Sequence, residues 1–388
     1  MKYNCIGEKI NVYKMNSKYL NYRPLFDALH HGKHKETINR LLEIGPLFDP
    51  NVAPYSSGDS LLHVTCRLGR TDFLLHLIEN YGNTLNLEIA NNEGKKPLHE
   101  ASQFGNHEVV RILLNKGVDV DSLKRADWTP LMMAVTKTGQ DAQSVVKALV
   151  EDGNANVMLE NKDGWNSFHL AAREGDIDIL KLLCKAFPKC CRTKSKNGRT
   201  PAHTAALNGN LETLIYLHYD CNLPLTEKDS CGCTPMMDAA RAGHLDIVKY
   251  LIEKLNHKYD ILDNMGRDIL SIAAHYGMTD IVNYLLRTVS MDPNKGSLTD
   301  PQMAPIHWCA KEGRLETIKK LVELNANPNL TDNKGRSAMH FATYGNHIDT
   351  VKYLVSFAED IDQELVKMSL AKPEINSLLK SRLSYLNT

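Results

Sequence analysis

The chain has no excess of either charge: 46 lysines and arginines stand against 46 aspartates and glutamates. That balance removes the overall electrostatic case for a nucleic-acid or anionic-membrane protein. Long apolar runs are missing too, so no helix is expected to cross a bilayer. The opening MKYNCIGEKINVYKMNSKYL lacks the apolar core of a secretory signal. The nine cysteines contain no C-x-x-C pair; the close ones are Cys190–Cys191 and Cys231-Gly-Cys233, and no histidine spacing completes a zinc site. Reduced structural thiols in an intracellular protein are the expectation, with no metal and no cofactor. G-x-S-x-G, G-x-G-x-x-G, Walker and H-E-x-x-H motifs are absent as well, so an enzyme is not expected.

What is present is repetition. SLLH begins at Ser60, KPLH at Lys96, TPLM at Thr129, NSFH at Asn166, TPAH at Thr200 and TPMM at Thr234. DILS at Asp268, APIH at Ala304 and SAMH at Ser337 continue the series. Successive starts differ by 36, 33, 37, 34, 34, 34, 36 and 33 residues, and a degenerate copy, RPLFDALHHG, opens at Arg23. Such a fixed period governs the fold more than chain length does.

Each copy then supplies small residues and a glycine, as in AAREG, AALNG and AARAG, and next a periodic apolar run such as HEVVRILL or RLETIKKLV. Thr or Ser opens the first helix as its N-cap, and Pro at the following position has a preset φ and no amide to leave unbonded. Alanines permit close approach, the glycine supplies a positive-φ turn, and the apolar stripe of the second helix faces its neighbours. One unit cannot bury that stripe alone, so stability comes from interfaces between adjacent units. In the copy at Thr129 the glycine comes one residue late, at Gly139, and in the last copy one early, at Gly345. The stretch RTVSMDPNKGSLTDPQM has no helical pattern and should form a longer finger.

A period near 33 with T-P-L-H-x-A-A resembles the ankyrin repeat family over about 23–357. The resemblance implies an all-α repeat solenoid of about ten helix–turn–helix repeats with β-turn fingers. Residues 1–22 read as an N-terminal extension and 358–388 as a helical cap whose two helices Pro373 separates.

The histidines at the fourth motif position, His63, His99, His169, His203, His307 and His340, occur once per repeat. They read as hydrogen-bonding groups between loop and helix rather than as a metal or catalytic row. Glu100, Glu174 and Asp238 fall on first helices, where they are expected to face a partner. Trp128 and Trp165 occupy equivalent finger positions that should face solvent, where a bulky ring either anchors an interface or packs on the adjacent fingers and rigidifies them, or does both. Lys95, Lys96, Lys124, Arg125, Lys162, Arg192, Lys194, Lys196 and Arg199 cluster around them as a basic, aromatic strip. That strip has the ingredients of a nucleic-acid platform, but interspersed acids and overall neutrality favour a protein partner over nucleic acid on its own.

LKRADWTPLMMA, NKDGWNSFHLAAREGD and SKNGRTPAHTAALNG further resemble ankyrin-repeat cofactors of alanyl-tRNA synthetase, most closely over about 94–210. That resemblance implies binding to the catalytic domain of the synthetase and capture of misactivated serine on lysine side chains. The acceptor in the NKDGW finger is kept as Lys162. Arg125 and Arg192 stand at two other acceptor places, with Lys124 and Lys194 nearby as substitutes. Arginine stays protonated and is a poor acyl acceptor. Trp128, Trp165, Arg125, Arg192, Lys196 and Arg199 would bind the partner. The alternatives are a general scaffold or adaptor without acceptor chemistry and an RNA-contacting module. A cytoplasmic and nuclear protein is expected.

Overall fold

The computed structural model describes residues 21–45 and 48–386, so the expected extension at 1–22 lies almost wholly outside the described residues. Two compact units, Met1–Lys196 and Asn197–Thr388, make up the chain. The described residues are helical, with no strand and only the isolated bridges Lys124–Trp128 and Thr331–Ser337. Ten helix pairs follow one another, five in each unit.

In the first unit the pairs are Arg23–His30 with His34–Ile44, Leu61–Arg67 with Thr71–Tyr81, and Pro97–Gln103 with His107–Asn115. Pro130–Ala134 with Gln140–Lys147, and Ser167–Glu174 with Ile177–Ala186, complete it. The second unit repeats the plan from Pro201–Leu207 to Ile348–Val355.

Helix starts fall where the tetrapeptides begin. Ser60, Thr129, Asn166, Thr234 and Asp268 are N-caps whose side-chain oxygens accept a backbone N–H of the first turn. Pro97, Pro130, Pro201, Pro235 and Pro305 each occupy the first helical position. The second helices bury one stripe: Val109, Val110 and Leu113 in His107–Asn115, and Ile318 and Leu321 in Leu315–Glu323. Phe168 is wholly buried.

Both departures from register have a local cause. The late Gly139 (φ 91°) is the N-cap of Gln140–Lys147, and the first helix of that repeat is only five residues long. The early Gly345 is not the turn residue: its φ is −72°, and Asn346 takes the positive φ of 60°. Counting from the N-cap, Asn346 stands where the other repeats place glycine, and asparagine is the side chain that tolerates this conformation best. The stretch after Arg287 has no helix before Pro305 and closes through the Ser297 N–H bonding the Met303 carbonyl. Beyond the last repeat, Gln363–Ser369 and Pro373–Leu386 bury Leu365, Ile375 and Leu379; Pro373 begins the second of these helices rather than standing between them.

The motif histidines join repeat to repeat. Nδ1 of His63, His99, His203 and His307 accepts the backbone N–H of its N-cap at 2.9–3.1 Å. That fixes the ring proton on Nε2, which donates to a carbonyl of the next repeat: Lys95 (2.8 Å), Trp128 (3.2 Å), Cys233 (2.9 Å) and Leu330 (2.8 Å). Burial lowers the pKa of all four, to about 4 for His99. They are neutral connectors.

Candidate functional site

Fingers of the first unit are tied into a ladder by their backbones. Asn92 N–H donates to the Ser57 carbonyl, Arg125 to Glu93, Lys162 to Ala126 and Lys196 to Asp163, at 2.8–3.1 Å. Asn91 and Asn161 stiffen two of the turns by each accepting two backbone N–H groups two and four residues on. Gly164 (φ 77°) is obligatory here, because a Cβ would stand 2.6 Å from the Lys196 backbone nitrogen. In the finger 124–128 no glycine is available, and Ala126 and Asp127 adopt φ of 66° and 61°. That finger therefore stores backbone strain, roughly 1 kcal/mol or more per residue.

The ladder decides which cations are displayed. Arg125, Lys162 and Lys196 are the donors of three successive rungs, so they stand at equivalent places, and all three side chains are exposed. Arg192 and Lys194 are exposed beside them. The other members of the predicted strip are placed differently. Lys95 lies 3.5 Å from Glu100 and 3.8 Å from Glu93, while Lys96 pairs with Glu88 at 2.5 Å. Arg199 belongs to the second unit, is 14% exposed, and is held by Asp229 (3.1 Å) and Asp238 (2.6 Å). It is a structural cation there.

The tryptophans are not bare tips. Both are partly buried, each covered from within its own repeat. Lys124 Nζ lies 5.5 Å from the centroid of the Trp128 ring. Trp165 stacks on His169 at 6.2 Å and 27°. The Trp128 carbonyl is itself bonded by Lys124 N–H and by His99. Each ring thus supports its finger and leaves only part of its face for a partner. Lys124 is the unusual amine of the group: burial first, and then the neighbouring Lys95, lower its pKa below that of a free lysine. A smaller charged fraction at neutral pH makes it a better nucleophile.

Two first-helix acids are buried rather than turned to a partner. Glu100 (1% exposed side chain) accepts from Arg67 at 2.8 Å, and Arg67 also holds Asp59 at 2.6 Å. Asp238 is shared by Arg199 and Arg241, both at 2.6 Å. Arginine lying one repeat away from its acid is invisible to a motif read within one repeat. Glu174 is partly exposed and pairs with Arg173.

Within either unit the described histidines, cysteines and acids form no group of three at metal-ligand distance. Cys184 and Cys191 bring two sulfurs within 4.8 Å of each other, two ligands short of a closed tetrahedral site. No described helix is long and apolar enough to cross a membrane.

A family profile described as ankyrin repeats (3 copies) matches residues 25–124, 62–160, 131–227, 210–297 and 270–365. Ankyrin repeat-containing protein C6C3.08 of Schizosaccharomyces pombe is 30% identical over 124 residues, covering 32% of this chain and 52% of that protein. Ankyrin repeat protein nuc-2 of Neurospora crassa is 30% identical over 169 residues, 43% of this chain and 15% of that protein. The B-cell lymphoma 3 protein homolog of Mus musculus is 28% identical over 131 residues, 33% of this chain and 28% of that protein. The matched region spans about half of the first of these relatives and far less of the other two.

Proposed function

Because the chain belongs to the ankyrin-repeat family, we propose that it is a protein–protein interaction scaffold that binds without turnover, through the finger edge of its first unit. The observation that carries this is the ladder. Four backbone bonds hold the fingers rigid and present Arg125, Lys162 and Lys196 in register, so ordering those positions costs little further entropy on binding. Partly covered Trp128 and Trp165 supply apolar area between the cations. The scaffold would work in cytoplasm and nucleus, where thiols persist as thiols.

The test is cross-linked capture of bound proteins by the full chain and by Arg125→Glu/Lys162→Glu. These side chains are exposed, so the helical signal and melting should stay unchanged while the bound set is lost. An identical bound set would remove the finger edge from the reading.

A more specific role rests on the resemblance of LKRADWTPLMMA and NKDGWNSFHLAAREGD to ankyrin-repeat cofactors of alanyl-tRNA synthetase: the partner would be the catalytic domain of the synthetase and the chain would absorb misactivated serine. Lys124, partly buried beside Lys95 with its pKa lowered, would be the first acceptor. Its neutral amine would attack the carbonyl carbon of seryl-adenylate. The C–N bond forms as the bond to the phosphate oxygen breaks; AMP leaves, and the amine loses a proton to solvent. Lys162 and Lys194 would serve as further acceptors. Incubation with the synthetase, serine and ATP, followed by peptide mass mapping, should place a serine-sized amide on Lys124 ahead of Lys162. Complex formation without an adduct leaves the scaffold reading alone; no complex removes the synthetase.

A further inference from the structure

Between Ile179 and Leu211 the sequence has seven lysines and arginines and no aspartate or glutamate. Six of the seven, Lys181, Lys185, Lys189, Arg192, Lys194 and Lys196, belong to the first unit, and every one is exposed. They run from the outer face of helix Ile177–Ala186, through the 3-10 turn Pro188–Arg192, into the last finger of that unit.

Second helices elsewhere in the chain neutralise their cations locally. In His34–Ile44, Arg40 pairs with Glu43 at 2.9 Å; in Leu315–Glu323, Lys319 pairs with Glu316 and Lys320 with Glu323. Lys185 and Lys189 have no acid within four places along the chain, and Lys181 has only Asp178, three residues before it. The acids of Ile177–Ala186 sit at its start, where Asp176 caps the helix and also takes the Gly139 N–H and the Gln143 amide. Favourable placement near a helix C-terminus accounts for Lys185, not for six cations in a row. Phe187, 38% exposed, lies in the middle of them.

We infer that this basic face is a docking surface for an acidic segment of a protein partner. The inference rests on the scaffold reading and names the chemistry of what the scaffold binds. Lys181 and Lys185 are four residues apart, a rise of about 6 Å, which matches acids spaced four apart on a partner helix. Phe187, between Lys185 and Lys189, supplies one apolar contact. A nucleic acid fits less well. Successive bases stack on several exposed rings, and this face offers Phe187 alone, the neighbouring Trp165 being partly covered.

The test uses the full chain and a labelled helical peptide with glutamate at every fourth place and leucine between, beside the same peptide with glutamine. Fluorescence anisotropy should show the glutamate peptide binding at least tenfold tighter, with affinity falling as salt rises. Lys181→Glu/Lys185→Glu/Lys189→Glu should abolish that preference, and the milder triple change to glutamine should weaken it. Lys367→Glu/Lys380→Glu, on the C-terminal helices, should leave it intact. Equal affinity for the two peptides, or no effect of the triple change, overturns the inference. So does tighter binding of a single-stranded RNA carrying the same number of charges. If captured proteins still require Arg125 and Lys162 in that case, the scaffold reading stands and only the acidic-partner inference falls. If neither surface matters to capture, both fall.

Discussion

Acid should loosen the joints between repeats before it protonates most carboxylates, and His99 lets the size of that effect be worked out. Its Nδ1 accepts the Lys96 N–H at 3.1 Å and its Nε2 donates to the Trp128 carbonyl at 3.2 Å. A proton added at Nδ1 would face that N–H donor and would also bring a buried charge near Lys124 and Lys96. Burial first, then these two lysines, hold the pKa at about 4 against an ordinary 6.5. Protonating this ring in the fold therefore costs about 3 kcal/mol more than in the unfolded chain. Because the folded pKa is the lower one, the unfolded state binds more protons as pH falls. His99's contribution is complete above about pH 6.5 and is lost progressively down to about pH 4. Near pH 5 the loss should be about 2 kcal/mol. The assay compares urea unfolding of the chain and of His99→Gln at about pH 7.5 and pH 5, so that the difference cancels the other titrating groups. Following the His99 Cε1 proton by NMR reads the same pKa directly. Identical pH dependence in the two proteins, or a resonance titrating near 6.5, would refute the neutral-connector account.

Three other outcomes follow from single side chains. Gly164→Ala combines a positive φ with a Cβ 2.6 Å from the Lys196 nitrogen, so the unfolding free energy should fall by at least about 1–2 kcal/mol; an unchanged urea midpoint would contradict the ladder geometry. Ala126→Gly should act in the opposite direction, raising stability by about 0.5–1 kcal/mol as the φ of 66° is relieved, read from the same transition. Glu100→Gln leaves Arg67 with a neutral partner in a buried site and should cost about 3 kcal/mol, with a lower melting temperature as the measurement.

The fold was legible because repetition averages over local ambiguity. No single DILS or SAMH would announce a helix, but their spacing located the N-caps at Asp268 and Ser337. The histidine row was legible for the same reason, since a residue tied to a motif in every repeat is tied to the structure of the repeat. Gly345 misled because glycine was read by identity, whereas the turn needs a residue at a fixed distance from the N-cap, and Asn346 is the one there. Glu100 and Arg199 misled because Arg67 and Asp238 lie one repeat away from them, where no within-repeat pattern reaches, while Asp238 is also paired within its own helix by Arg241. Trp128 and Trp165 were placed on the right fingers, but Lys124 and His169 cover them, a contact that depends on side-chain direction. Of the basic face, Arg192, Lys194 and Lys196 were legible as part of the finger strip, whereas Lys181, Lys185 and Lys189 were not, because they lie on a helix and a turn outside the finger motif.

The imidazole connectors also give the chain a direction in time. His63 is completed by Lys95, His99 by Trp128, His203 by Cys233 and His307 by Leu330, always by a carbonyl further along the chain. A chain leaving the ribosome N-terminus first thus carries, at its growing edge, a repeat whose histidine still lacks its acceptor. In those four repeats the next one supplies the missing acceptor, and the last, through His340 and Asp362 at 2.9 Å, is closed by a carboxylate outside the repeats. Consolidation of these joints during synthesis would trail the emerging sequence by about one repeat, so a ribosome stalled before Lys95, Trp128, Cys233 or Leu330 would hold the preceding joint open.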